Sequence, residues 1–246
     1  MRYLIISDLH GNYEALEAVL EDSGGRYDQI VCCGDLVGYG PDPNRIVEWA
    51  KVSLFAVIRG NHDRACCGLE DLEWFNPVAQ DASRWTMRHL TRENHEWLRA
   101  LPSGPIQVNG FTVAHGSPLD EDEYVASLDD AANVFDYLNG AITFFGHTHL
   151  QGGFVQTHGR RVALVRPRRD EPSLRLRLDS EAVYMINPGS IGQPRDADPR
   201  AAYAVFDSEA REVTLCRAVY DWQAVRRKIE EAGLPPALGQ RLALGR

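Results

Sequence analysis

Long apolar runs are missing from this chain of 246 residues. None approaches the roughly 20 residues that a membrane-spanning helix needs, so no membrane association is expected. Met1-Arg2 leads straight into the strand-like Tyr3-Leu4-Ile5-Ile6 with no signal-peptide pattern. A cytoplasmic location is the default expectation. A basic excess is missing too: 26 Lys and Arg stand against 35 Asp and Glu, a formal net charge of -9. General binding of duplex nucleic acid, which usually needs a basic face, is therefore not expected. A small anionic substrate is still allowed, because bound metal can invert the local field. The five cysteines, Cys32, Cys33, Cys66, Cys67 and Cys216, have neither zinc-finger spacing nor the pattern of a secreted disulfide framework. They read as reduced packing residues. Internal repeats and low-complexity segments are also absent.

What is present is ordinary globular composition, 44% hydrophobic and 25% charged, over a length suited to one domain spanning 1-246. Strand-like Tyr3 to Ile6, Gln29 to Cys33 and Leu54 to Ile58 alternate with helical patterns over Tyr13 to Leu20 and Pro43 to Lys51. That alternation implies parallel crossover units with their loops on one edge. Residues 69-101 carry Trp74, Phe75, Trp85, Met87, Leu90, Trp97 and Leu98 at helix-compatible spacings, and predict a helical layer or small cap. From Pro105 the pattern is strand-rich. Asn109-Gly110 and His158-Gly159-Arg160 mark hairpin turns, and a helix is expected over Leu128 to Leu138. The strands after residue 105 predict a second, mainly antiparallel sheet, followed by a helix over Tyr220 to Ala232 and a loosely packed tail. The fold class is mixed α/β, built from two sheets.

Five polar clusters fall at the ends of apolar runs: Asp8-Leu9-His10, Gly34-Asp35, Gly60-Asn61-His62-Asp63, His115-Gly116 and Gly146-His147-Thr148-His149. They hold five of the eight histidines. The carboxyl ends of strands are where open α/β sheets place their chemistry. Carboxylates and neutral imidazoles bind borderline divalent ions such as zinc, manganese, iron, cobalt or nickel. A carboxylate can bridge two ions, and an asparagine carbonyl can serve as a weaker oxygen ligand. Singly, each cluster has a plain structural reading; Asp8 or Asp35 alone could cap a helix. Their joint occurrence at successive strand ends points to a dinuclear metal site.

These five clusters resemble the signature of the calcineurin-like metallophosphoesterase superfamily. Asn187-Pro188-Gly189-Ser190 is similar to a loop of its small bacterial and archaeal phosphodiesterase branch. Gly34-Asp35-Leu36-Val37-Gly38-Tyr39-Gly40-Pro41 is similar to a diadenosine-tetraphosphatase-like subset. The resemblance implies a four-layer fold of two packed β-sheets flanked by helices, with residues 69-101 as a helical insertion. It implies two divalent ions. Asp8, His10 and His149 would hold the first, Asn61, His115 and His147 the second, and Asp35 would bridge them. His62 would act as general acid or charge stabiliser. The implied reaction is hydrolysis of a phosphodiester or phosphoanhydride, of nucleotide type in some relatives, by attack of a metal-bridging hydroxide. The alternatives are a non-catalytic metal-binding scaffold, a phosphomonoesterase or a nuclease. In one respect the chain departs from larger members. Gly38 stands where they carry a carboxylate that orients the catalytic histidine, which leaves open what holds His62. Asp63 could cap or brace its loop.

Beyond the signature, Arg64 and Arg195 are candidates for phosphate contact, since a guanidinium fork matches phosphate oxygens. Asn187 and Ser190 are expected to shape the loop near the metals. Tyr39 could line the entrance or pack. Arg160, Arg161, Arg166, Arg168, Arg169, Arg175 and Arg177 are interleaved with acids and read as a solvated hairpin or a contact in a homodimer.

Overall fold

In the computed structural model of the chain, residues 1–138, 140–157, 161–168 and 171–246 are described. The turn expected at His158-Gly159-Arg160 lies outside them, as do Arg169 and Asp170. The first sheet takes β1 (Arg2–Ile6), β2 (Gln29–Cys32) and β3 (Ala56–Val57) in parallel. Its other half is antiparallel: β11 (Ala201–Asp207), β12 (Glu212–Ala218) and β9 (Ser173–Arg177), in the order β3-β2-β1-β11-β12-β9. The second sheet runs β4 (Ile106–Val108), β5 (Phe111–Val113), β6 (Ile142–Phe144), β10 (Val183–Asn187), β7 (Gly152–Thr157) and β8 (Arg161–Val165). Within it β5, β6 and β10 are mutually parallel.

The strand alternation explains the layering. In β1, Tyr3 and Ile5 face the second sheet, while Leu4 and Ile6 face helices. Both faces are buried, so the strand reads as one continuous apolar run. Between the sheets, Tyr3 and Phe206 of the first meet Phe111 and Phe144 of the second. Tyr3 and Phe111 stack edge-on at 5.0 Å, and Phe144 lies 5.4 Å from Phe206. Outside the first sheet pack α1 (Tyr13–Ser23), α2 (Pro43–Ser53), α4 (Pro77–His89), α5 (Arg92–Arg99), α7 (Trp222–Glu231) and α8 (Pro236–Leu242). The short α3 (Asn61–Cys66) follows β3, and α6 (Leu128–Phe135) covers the outer face of the second sheet. This is the expected pair of sheets flanked by helices. The helical segment after residue 69 also forms, as a 3-10 turn over Leu72–Trp74 with α4 and α5.

Two expectations need correction. The strands after residue 105 do not all form one sheet: β9, β11 and β12 join the first. β1 would otherwise present an open edge, and β11 closes it antiparallel, with Arg2 opposite Asp207. The tail is not loose either. Leu238 and Leu242 of α8 are buried in the same core as Val225 and Ile229 of α7. The five cysteines are free and buried, as expected of packing residues, and burial pushes the Cys32, Cys33 and Cys66 thiols well up. Arg161, Arg166, Arg168, Arg175 and Arg177 are exposed. No helix among the described residues is long and apolar enough to cross a membrane.

Phe111 is 1% exposed at the centre of the inter-sheet aromatic cluster. Phe111→Ala is expected to lower stability by about 3–5 kcal/mol, measured by urea unfolding.

Candidate metal centre and its cleft

All eight signature side chains converge on one edge of the two sheets. The loops that carry them are tied to one another. Asp8 and His10 donate their backbone N–H groups to the carbonyls of Gly34 and Asp35, each at 3.0 Å. Gly192 donates to Asp8 O at 2.9 Å, and Gly146 to His115 O at 2.8 Å. Asp8, His10, Asp35, His147 and His149 all have left-handed backbone, with φ between 48° and 64°. Such conformations cost on the order of 1–3 kcal/mol each and persist where the surroundings over-determine them.

The tautomers follow from the outer partners, as carbonyls only accept. His10 Nδ1 donates to Val37 O at 3.1 Å, and His149 Nδ1 donates to Gln193 O at 2.6 Å. In a neutral ring the proton is then on Nδ1, and Nε2 keeps a lone pair. Yet the two Nε2 atoms face each other at 3.1 Å, with Asp8 Oδ1 at 3.3 Å from that of His149. The second group has the same form. His115 Nδ1 donates to Cys33 O at 2.8 Å, and His147 Nε2 donates to Asp122 O at 3.1 Å. Their other ring nitrogens both lie 3.1 Å from Asn61 Oδ1. Asp35 Oδ2 stands between the groups, 3.6 Å from His10 Nε2 and 3.4 Å from His115 Nε2.

The carboxylates are half spent. Asp8 Oδ1 accepts from His147 N at 3.2 Å and Asp35 Oδ1 from His62 N at 2.9 Å. Asp8 Oδ2 and Asp35 Oδ2 are buried and accept no hydrogen bond. Burial works against the charge on both acids, but His149 beside Asp8 and His115 beside Asp35 hold them below the usual carboxylate range. Burial keeps His10 and His149 neutral and lowers His147 to about 3. His115 is the exception: burial opposes its charge, but Asp35 lifts it to about 10. A positive charge is what this position attracts. Donor atoms about 2.1 Å from one ion sit roughly 3–3.4 Å from each other. The spacing of these donor atoms is that of side chains able to hold a metal ion. Among the described residues, the donor atoms of Asp8, His10, Asp35 and His149 all lie within 4.8 Å of one another.

The support of His62 is aromatic rather than ionic. Its ring lies 4.4 Å from Tyr39, 4.9 Å from His10 and 5.0 Å from Phe75, the last two edge-on. Its Nδ1 is buried without a hydrogen-bond partner, and burial lowers the ring to about 4. Gly38 explains why no carboxylate stands there. Its φ is +129°, and a Cβ would meet His10 Nδ1 and His62 Nδ1, each at 3.0 Å. Asp63 both caps and braces: Oδ2 accepts from Gly60 N at 3.1 Å and Oδ1 from Val37 N at 3.0 Å. Burial and the charge of Asp35 raise it to about 7.

The remaining candidates separate. Arg64 is held by Glu70 at 2.7 Å, Asp122 at 2.6 Å and Glu121, which ties α3 to the loop after β5. Arg195 has no carboxylate partner among the described residues; its guanidinium reaches Tyr39 OH at 3.4 Å and Gln193 Oε1 at 3.3 Å. Asn187 donates to Gly146 O at 2.7 Å, and Ser190 donates to Asp8 O at 2.8 Å, so both shape the ligand loops. A cleft of about 470 Å³ opens over Asn61, His62 and His147, walled by Tyr39, Phe75, Trp74 and Tyr124. The cleft positions of Trp74, Phe75 and Tyr124 were not foreseen from sequence. The one available signal was the adjacency of Trp74 and Phe75, which cannot share one helix face.

Gly38→Asp is expected to weaken divalent-ion binding by roughly tenfold or more, the scale of lost outer support around a metal. Gly38→Ala should do much the same, since the Cβ alone is the obstacle. Calorimetric titration checks both, and unchanged affinity would refute the close-packing explanation.

The comparisons with known proteins agree with this geometry. A model of the calcineurin-like phosphoesterase superfamily domain matches residues 1–211. The chain is 36% identical over 248 residues to the uncharacterised protein MJ0912 of Methanocaldococcus jannaschii, covering 98% of this chain and 97% of that one. It is similar to a metallophosphoesterase crystal structure from Sphaerobacter thermophilus, at TM-score 0.86 and 42% identity over 100% and 99% of the two chains. It shares its fold with the hypothetical protein PH1004 of Pyrococcus horikoshii OT3, at TM-score 0.77 and 20% identity over 100% and 98% of the chains. With two thirds of its length and more inside the family's domain, and with the family's metal-type donor set gathered at one sheet edge, the chain belongs to the calcineurin-like phosphoesterase superfamily.

Proposed function

We propose that this protein is a dinuclear metal-dependent phosphoesterase that hydrolyses a phosphodiester or phosphoanhydride. The observation that carries the proposal is the set of metal-type donor atoms turned toward one another: Nε2 of His10 against that of His149, and ring nitrogens of His115 and His147 against Asn61 Oδ1, with Asp35 between. Asp8, His10, Asp35 and His149 would hold one ion, and Asp35, Asn61, His115 and His147 the other. Two divalent ions in those positions supply Lewis acidity toward phosphoryl oxygens and activate water at neutral pH.

The chain's own residues do the rest. Backbone carbonyls of Val37, Cys33, Asp122 and Gln193 fix the ring orientations, so His10, His147 and His149 present a lone pair without reorganising and His115 does so once a cation displaces its proton. His62 lines the cleft with its Nδ1 buried, which leaves Nε2 to meet a phosphoryl or leaving-group oxygen. Held neutral at pH 7, a ring placed there would stabilise developing charge by donating its Nε2 N–H. Arg195 adds a cation beside Tyr39 and His62, and is placed to favour an anionic group. Arg64 serves the site indirectly, by holding the loop whose Asp122 carbonyl orients His147.

Metal-reconstituted protein is expected to hydrolyse an aryl phosphodiester. Asp35→Ala or chelation should lower kcat by roughly a hundredfold or more, beyond the 10–100-fold cost of outer-sphere changes. His62→Ala should keep its metal content and lose about 10²–10⁴-fold in kcat. Steady-state assays paired with metal analysis check both. Full activity in chelated protein would end the proposal.

A further inference from the structure

The cleft beyond the candidate metal centre has an unusual wall. Its lining includes the rings of Tyr39, Trp74, Phe75 and Tyr124, the carboxylates of Glu70 and Asp122, and, among the described residues, no lysine or arginine. Two of the rings have structural work: Tyr39 and Phe75 pack on His62. Tyr124 lies over His147 at 4.0 Å, yet is still 53% exposed. Trp74 has no such work. It is 88% exposed and has no ring partner among the described residues. It sits on a 3-10 turn, Leu72–Trp74, in which no residue is buried. Exposure of a single ring is ordinary, but this one lines the cleft, where it is placed to meet whatever enters.

Charge narrows the occupant. The cation nearest this wall, Arg64, is spent on Glu70, Glu121 and Asp122. Arg195 is not part of the wall and reaches it only through the Tyr39 hydroxyl. A polyphosphate chain extending from the metal centre would run along Glu70 and Asp122, whose shared partner Arg64 is already engaged, so its added charges would meet no free cation there. One phosphoryl group at the metals, followed by an uncharged planar ring, meets no such obstacle. The cleft's 470 Å³ lies within the range of sites that bury a nucleoside-sized group.

We infer that the substrate is an ester with a single phosphoryl group whose planar, nucleobase-like ring stacks on Trp74 in the cleft that Tyr124 also lines, and that dinucleoside polyphosphates are disfavoured. This rests on the phosphoesterase reading above and goes past it in naming what occupies the cleft. In the reaction a water oxygen bonds to phosphorus as the phosphorus–oxygen ester bond breaks. The departing oxygen gains one proton, and the water's other proton is released or stays on the phosphate product.

The test compares three substrates on manganese-loaded protein: the p-nitrophenyl ester of thymidine monophosphate, methyl p-nitrophenyl phosphate, and diadenosine tetraphosphate. The first two share a leaving group and differ in the nucleoside. The thymidine ester is expected to have the higher kcat/KM by about tenfold, the scale of one base stacked on an aromatic side chain. Trp74→Ala should remove most of that ratio through KM, and Trp74→Phe should restore it. Diadenosine tetraphosphate should be the poorest of the three. The inference is overturned if Trp74→Ala leaves the ratio intact, or if diadenosine tetraphosphate is the best substrate. If no ester is hydrolysed at all, the phosphoesterase reading fails and binding decides this one separately. AMP, but not ribose phosphate, should quench the fluorescence of wild type and not of Trp74→Ala; equal responses to the two ligands would reject the stacking site.

Discussion

Two imidazole nitrogens that both carry lone pairs, on His10 and His149, face each other at 3.1 Å in a buried pocket. Left alone, that contact is repulsive, and the nearby Asp8 and Asp35 oxygens add to it. A positive charge between the donors reverses every sign. Much of the surrounding architecture serves to hold the donors in this arrangement. Four backbone carbonyls pin the ring orientations, and backbone N–H groups of His62 and His147 take one oxygen from each carboxylate. What remains is an inward-facing set of acceptors that a bound cation would satisfy.

Holding it requires backbone that an ordinary loop would not adopt. Five of the seven candidate ligands have positive φ without being glycine. That strain is borne by the sheets on either side, whose inter-face core of Tyr3, Phe111, Phe144 and Phe206 fixes the strand ends from which the loops spring. Glycine enters where atoms come too close for a side chain. At Gly60 a Cβ would run into Asp35, and at Gly38 it would meet both His10 and His62. Gly38 is therefore compatible with a well-held His62: the ring packs against bare backbone on one side and against Tyr39 and Phe75 on others.

The strands that end in polar clusters were legible because that signal is local. An apolar run followed by Asp8-x-His10 or Gly34-Asp35 carries both its burial and its chemistry in a few residues. Sheet membership was not local. β11 closes the edge of β1 by pairing Arg2 with Asp207, a choice made across most of the chain, so the late strands were expected in the wrong sheet. Arg64 illustrates the same limit at the site. Directly after the Gly60-Asn61-His62-Asp63 cluster it suggested phosphate contact, but Glu121 and Asp122, more than fifty positions on, take its donors. The exposed Trp74 could not be told from a packing residue, because what leaves it in water is the 3-10 turn that carries it, none of whose residues is buried. Asp63 was legible only as two alternatives, and the fold uses both of its oxygens.

The claim that the donor set exists to hold cations is tested most directly by metal content together with stability. Protein stripped with a chelator and then titrated with manganese or zinc should take up two ions per chain. Its thermal midpoint should rise, because a ligand at a hundred times its Kd stabilises the native state by about 2.7 kcal/mol. Stripped protein that binds no divalent ion, or that is as stable without ions as with them, would contradict the account.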